Sequence, residues 1–152
     1  MADLANNQTH ILLINALVIK GGKVLIGQRS YKETHAPGKW SIPGGKVDRT
    51  EGGVWDVVEE TLKREVLEET GVKIENEVKL VANNTFIRST GHHVVALIFL
   101  CKWKSGKAKA LEDTIDVKWI TKGEVGQYDF SEDVKRYLNL AFDLVNGKRA
   151  VQ

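Results

Sequence analysis

The apolar pattern changes period in mid-chain, and that change limits the fold more than any other feature of the sequence. From Val54 to Thr70 the residues Val54, Val58, Leu62 and Val66 recur every fourth position, the spacing of a helix with one buried stripe, and Trp55 stands beside it. The runs on either side are β-type. "ILLINALVIK" and "KVLIGQRS" precede the stripe and meet at Gly21 and Gly22, two residues that accept the positive φ of a tight hairpin turn. "VKIENEVKLVANNTFIRS", "HHVVALIFLCKWK" and "IDVKWI" follow it. Ser131 to Val145 reads as a closing helix capped by Ser131, with Val134, Tyr137, Leu138, Ala141, Leu144 and Val145 inward. Strands, helix, strands, helix in this order predict an α/β fold, a mixed β-sheet sandwiched between helices in three α/β/α layers.

At 152 residues the chain is read as one domain. Its core is expected from about residue 10 to residue 145, with tails at 1–9 and 146–152, the second of them frayed. No apolar run approaches the roughly 18 residues of a membrane span, and "MADLANNQTH" lacks the basic-then-apolar pattern of a secretory signal. Cys101 is the single cysteine, so no internal disulfide framework exists, which suits a reducing cytoplasm. It stands in an apolar run, where a buried thiol is the expectation. A net charge of +2 without a dense Lys/Arg block gives no footprint for polymeric nucleic acid.

The segment between the first strands and the helix is rich in turn residues. "YKETHAPGKW" is a polar loop, and "WSIPGG" is a short extended piece ending at Pro43, Gly44 and Gly45. The helix itself ends in "REVLEETG", where Gly71 is placed to take the left-handed conformation of a C-terminal cap. Glu65, Glu68 and Glu69 stand at i, i+3 and i+4 and share one face. At about 100° per residue Glu69 falls among Val58, Leu62 and Val66, and Glu65 falls at the edge of that stripe. Acids gathered beside a core repel one another unless a cation neutralises them. Oxygen donors at this density suit Mg²⁺, Mn²⁺ or Ca²⁺. A solvated Glu-rich helix face is an equal reading of the acids by themselves.

The longer stretch "GGKVDRTEGGVWDVVEETLKREVLEETGV" resembles the Nudix box, the signature of hydrolases that act on a nucleoside diphosphate linked to another group. Gly45, five residues and Glu51 match its front; Arg64, Glu65, Val66, Glu68, Glu69, Gly71 and Val72 match its back. Twelve residues separate Glu51 from Arg64 where the family pattern has seven, an insertion of five. The first acid of the box, which braces the arginine, is therefore Glu51 by the front register or Asp56 by the back register, with Asp56 favoured.

The resemblance implies a Nudix-type α/β/α fold from about His10 to Val145. It also implies a Mg²⁺-dependent pyrophosphohydrolase, with Mn²⁺ as the alternative ion. Gly45, Glu65, Glu68 and Glu69 are the implied metal site, and Arg64, Glu65, Glu68 and Glu69 the catalytic group. A later acid completes that group: Glu112 first, then Asp113 and Asp116, with Glu124 weaker. Gly44 and Gly45 would let backbone approach metal or phosphate. Arg29, Lys39 and Arg88 are candidate phosphate contacts, and Trp40 a candidate for stacking a base. The family often dimerises, so a homodimer is an expected assembly.

Around Phe86 to Thr90 there is neither the proline of the ADP-ribose branch nor the tyrosine of the diadenosine polyphosphate branch. The coenzyme A branch's upstream motif is matched only in part, with Thr34 and Ile42 departing from it. A nucleoside triphosphate or similar small nucleotide is the first expectation, and ADP-ribose or a nucleotide sugar the second. A non-catalytic nucleotide-binding module is the reading from another class, and such modules are expected to have lost box carboxylates that this chain keeps. An isomerase relative would need a catalytic cysteine, for which Cys101 is poorly placed.

Overall fold

The first hairpin follows from two glycines. Strands β1 (Ile11–Lys20) and β2 (Lys23–Arg29) pair antiparallel across Gly21 and Gly22, whose φ values of 55° and 77° make the two-residue turn that matches strand twist. The computed structural model describes residues 9–147; the remainder of the expected tails at 1–9 and 146–152, including most of the segment read as frayed, lies outside them. Short strands β3 (Trp40–Ser41) and β4 (Gly44–Lys46) join β2 and β1 respectively, both antiparallel. Helix α1 (Val57–Thr70) follows, then β5 (Lys73–Ile87) and β6 (His93–Ser105), an antiparallel pair. Strand β6 returns parallel to β1, in register from Ile11 opposite Val94 to Ile19 opposite Lys102. Strand β7 (Thr114–Ile120) pairs with β2, and a 3-10 helix (Lys122–Gln127) leads into α2 (Glu132–Val145). The seven strands form one mixed sheet with the path β3-β2-β1-β6-β5.

Both faces of that sheet are covered, as its almost unbroken apolar strands require. Alternation divides each strand between two cores. Leu17 of β1, Val24 and Ile26 of β2, and Ala96 and Ile98 of β6 meet Val134, Leu138, Ala141 and Phe142 of α2. Ile14, Ala16 and Val18 of β1, Leu25 of β2, and Phe99 and Cys101 of β6 meet Leu62 and Val66 of α1. Burial pushes the Cys101 thiol up to about 12, so it is a core group rather than a nucleophile. No helix among the described residues is long and apolar enough to cross a membrane.

The helices depart from expectation at one end each. Helix α1 starts at Val57, not at Val54, because Asp56 is left-handed with φ 58° and Gly52 has φ 98°. A helix cannot run through such residues, so Val54 and Trp55 stay outside it, 56% and 91% exposed. In α2 the Ser131 hydroxyl accepts from the Val134 N–H at 3.3 Å, as a cap should. Val134, Tyr137, Leu138 and Ala141 face inward, but Val145 at the helix end is 39% exposed. Phe142, four residues after Leu138 on the same stripe, is buried instead.

Leu62→Ala should lower stability by about 2–5 kcal/mol, while Trp55→Ala should change it by no more than about 0.5 kcal/mol. Urea titrations of the two variants check this, and a large loss for Trp55→Ala would contradict the helix start.

Candidate active site

The buried stripe of α1 carries two of its acids into the interior. Thr61, Leu62, Val66 and Thr70 are buried, which leaves Glu65 and Glu69 half-buried on the flank facing the sheet. The helix stops at Gly71, whose φ of 71° lets its N–H donate to the Leu67 carbonyl at 2.9 Å. The next carbonyls are taken by a loop: Lys109 N–H donates to Thr70 O at 2.9 Å and Leu111 N–H to Glu69 O at 3.1 Å. These bonds satisfy helix-end acceptors that would otherwise lack partners. They also bring Glu112, on a left-handed turn with φ 53°, toward the acids of α1.

Strand β4 closes on the same acids. The Gly44 N–H donates to Glu69 Oε2 at 3.2 Å. A Cβ at Gly45 would overlap the Glu65 carboxylate, and one at Gly44 would overlap Asn15 and the Ile14 carbonyl. Only glycine lets the strand lie this close to both β1 and α1.

Glu65, Glu69, Gly44 and Glu112 line a cavity of about 460 Å³, together with Arg29, Lys39, Trp40 and Arg88. Arg29 donates from Nε to the His35 carbonyl at 3.0 Å and lies 3.6 Å from Glu33. Lys39 pairs with Asp129 at 3.2 Å. Trp40 packs edge-on to Tyr128 with ring centroids 4.9 Å apart, so it is both a core residue and a cavity wall.

Gly45, Glu68 and Arg64 are not part of that lining. Gly45 backs onto Glu65, and Glu68 turns outward to Arg64 at 3.5 Å. Arg64 also reaches Glu65 at 3.3 Å and Asp48 at 3.7 Å. Among the described residues neither Glu51 nor Asp56 forms an ion pair with it. Glu51 sits in an exposed bend and Asp56 at the start of α1, two turns before Arg64; the acid from outside the helix that pairs with Arg64 is Asp48, just past β4. Sequence reasoning missed Asp48, although an acid two residues past the strand that packs against α1 was a readable signal. It also missed Asn15, Phe86, Asp133 and Tyr137 of the cavity, which come from separate segments and share no local motif. The Tyr137 hydroxyl donates to Asn84 Oδ1, which holds that wall in place.

The electrostatics are those of crowded carboxylates. Burial, opposed in part by the Gly44 N–H, together with repulsion from Glu65 and Glu112, pushes Glu69 up to about 8. Burial raises Glu65 as well; Arg64 opposes this, while Glu68, Asp48 and Glu112 add to it. No three His, Cys, Asp or Glu side chains among the described residues are already drawn into one ligand set. The donors nevertheless fit a hard divalent cation. They are oxygens only, and a positive charge between Glu65 and Glu69 would relieve their repulsion.

A family model described as the NUDIX domain matches residues 9–140. The chain belongs to the NUDIX family. A MutT-like protein of Streptomyces ambofaciens is 34% identical over 91 residues, 59% of this chain and 53% of that one, so the match spans about half of that relative. An ADP-ribose pyrophosphatase of Methanocaldococcus jannaschii is 25% identical over 82% of this chain and 71% of its own. A nucleoside triphosphatase of an Enterobacter species is 25% identical over 79% and 88%. Among solved structures, a MutT NUDIX hydrolase from Burkholderia pseudomallei superposes with a TM-score of 0.72 at 26% identity, covering 88% of this chain and 98% of that one. The Nudix box of this chain thus runs from β4 through an exposed loop into α1.

Glu69 is raised above its unfolded value of 4.5, so its contribution to stability is full below pH 4.5 and is lost as pH rises through about 8. With chelator present, the melting temperature of the native chain should fall by roughly 3 °C or more between pH 6 and pH 9. Glu69→Gln should flatten that fall, and a divalent cation should reverse it at pH 9. A calorimetric pH series on both proteins, with and without Mg²⁺, measures this.

Proposed function

We propose that this chain is a divalent-metal-dependent pyrophosphohydrolase that cleaves the diphosphate of a nucleoside diphosphate linked to another group. The observation that carries the reading is the meeting of Glu65, Glu69 and Glu112 with the Gly44 backbone at the wall of one cavity, with Gly45 packed behind Glu65. The family and the hydrolases among its relatives support it. The leading substrate is a nucleoside triphosphate or similar small nucleotide. ADP-ribose or a nucleotide sugar is the second reading, favoured by the similarity to an ADP-ribose pyrophosphatase over most of the chain.

Glu65 and Glu69, with Glu68 and the Gly45 backbone beside them, are the groups that would hold Mg²⁺, or Mn²⁺ in its place. That ion supplies neutralisation of phosphate charge and acidification of water. The protein's own groups do the rest. Gly44 N–H orients the Glu69 carboxylate, and Arg64, braced by Asp48, orients Glu65. Glu112, on its tethered turn in the cavity lining, is the group that would accept a proton. Arg29 and Lys39 draw the phosphates in, and Trp40 offers a ring face to the base. A small nucleotide is the partner in this reading, and the cytoplasm, to which a lone buried thiol is suited, is the location.

Glu69→Gln should reduce Mg²⁺-dependent turnover by about 100-fold or more while leaving the fold intact. A nucleotide-library screen with Mg²⁺ and Mn²⁺, read by chromatography, tests both the activity and the substrate. Triphosphates turned over faster than ADP-ribose and nucleotide sugars would support the leading reading. A wild-type chain inert toward the whole library would sink the enzyme and favour a binding module.

A further inference from the structure

Among the described residues three side chains of fixed positive charge line the cavity: Arg29, Lys39 and Arg88. Two are already engaged. Arg29 is held by Glu33 and the His35 carbonyl, and Lys39 by Asp129. Arg88 differs from both. Among the described residues it forms no ion pair. Its Nε is shut off from solvent and has no hydrogen-bond acceptor.

Nothing in the backbone invites the side chain to swing away. Arg88 sits in the turn between β5 and β6, where its N–H donates to His92 O at 2.9 Å and its carbonyl accepts from Gly91 N–H at 2.8 Å. Phe86, two residues earlier and also in the cavity wall, packs into the core beneath it. Arg29, although paired to Glu33, shares that side of the cavity. Burial first, then Arg29 and Arg88, hold His35 below its ordinary value, so both guanidiniums act on one place.

We propose that Arg88, backed by Arg29, is a substrate-binding residue that takes a phosphate group of the nucleotide. A guanidinium with an unmet N–H calls for an acceptor, and its charge calls for an anion. A base carbonyl would leave the charge unpaired; a phosphate pairs it, through the planar fork of the guanidinium that suits its oxygens. This assignment rests on reading the cavity as the nucleotide site. It adds Arg88 to Arg29 and Lys39 as cations that the protein itself supplies to that site.

The test uses the full chain with Arg88→Met, which keeps the apolar stem, and Arg88→Lys, which keeps the charge. Calorimetry with inorganic pyrophosphate in chelator reads phosphate binding without metal or turnover. Arg88→Met should raise the pyrophosphate Kd, and the KM for the best nucleotide, by about 10-fold or more, with kcat within about threefold, and Arg88→Lys should recover part of the loss. The melting temperature of Arg88→Met should hold or rise, because the group removed has no partner in the native fold. Binding and KM within about twofold of wild type, or a wild-type chain that does not bind pyrophosphate, would overturn the proposal. Pyrophosphate binding lost in Arg88→Met by a chain that hydrolyses no nucleotide would uphold Arg88 and refute the enzyme; hydrolysis insensitive to Arg88→Met would do the reverse.

Discussion

The parallel pairing of β1 with β6 is the constraint on which the rest of the structure depends. A parallel pair cannot be closed by a hairpin, so the two strands have to be joined by a long crossover. Here that crossover carries β2, the polar loop, β3, β4, α1 and β5. Because β1 and β6 are apolar on both sides, each face needs a cover. Helix α1 supplies one and α2 the other. The position of α1 against β1 then decides where its last two turns, and therefore Glu65 and Glu69, lie.

From that position the site's electrostatics follow. Leu62 and Val66 anchor α1 to the sheet, and the acids next to them are drawn out of water with them. The loop that satisfies the helix's terminal carbonyls adds Glu112 to the group. The outcome is a concentration of negative charge that the protein only partly compensates, through Gly44 N–H and Arg64. Such a centre is costly until a positive charge neutralises it. The stability given up is of the kind that binding sites accumulate.

Much of this was legible in the sequence where the determinants are local. The two-glycine turn, the Ser131 cap, the Gly71 stop and the spacing of Glu65 and Glu69 on one helix face all rest on contacts within a few residues. The failures lie where a long-range contact or a backbone strain intervenes. Val54 continues the apolar stripe in sequence, yet the left-handed Asp56 cuts it off from the helix. Glu51 and Asp56 both satisfy a counting rule for bracing Arg64, yet the acid within reach is Asp48, because distance in space is set by β4 lying along α1.

By itself the sequence determined the alternation of strand and helix, the two-sided burial of the central strands and the presence of a carboxylate triplet beside an apolar stripe. Periodicity and turn chemistry are properties of neighbouring residues, and they are readable without a fold. Only the tertiary structure decided which acids share the cavity and which face outward, with Glu69 and Glu112 inside and Glu68 paired to Arg64 outside. It alone assembled Asn15, Phe86, Arg88 and Tyr137 into one wall, since these residues meet through the sheet and through no segment of the chain. Burial, charge pairing and an unmet N–H belong to that assembled environment, so they exist only once the layers have closed.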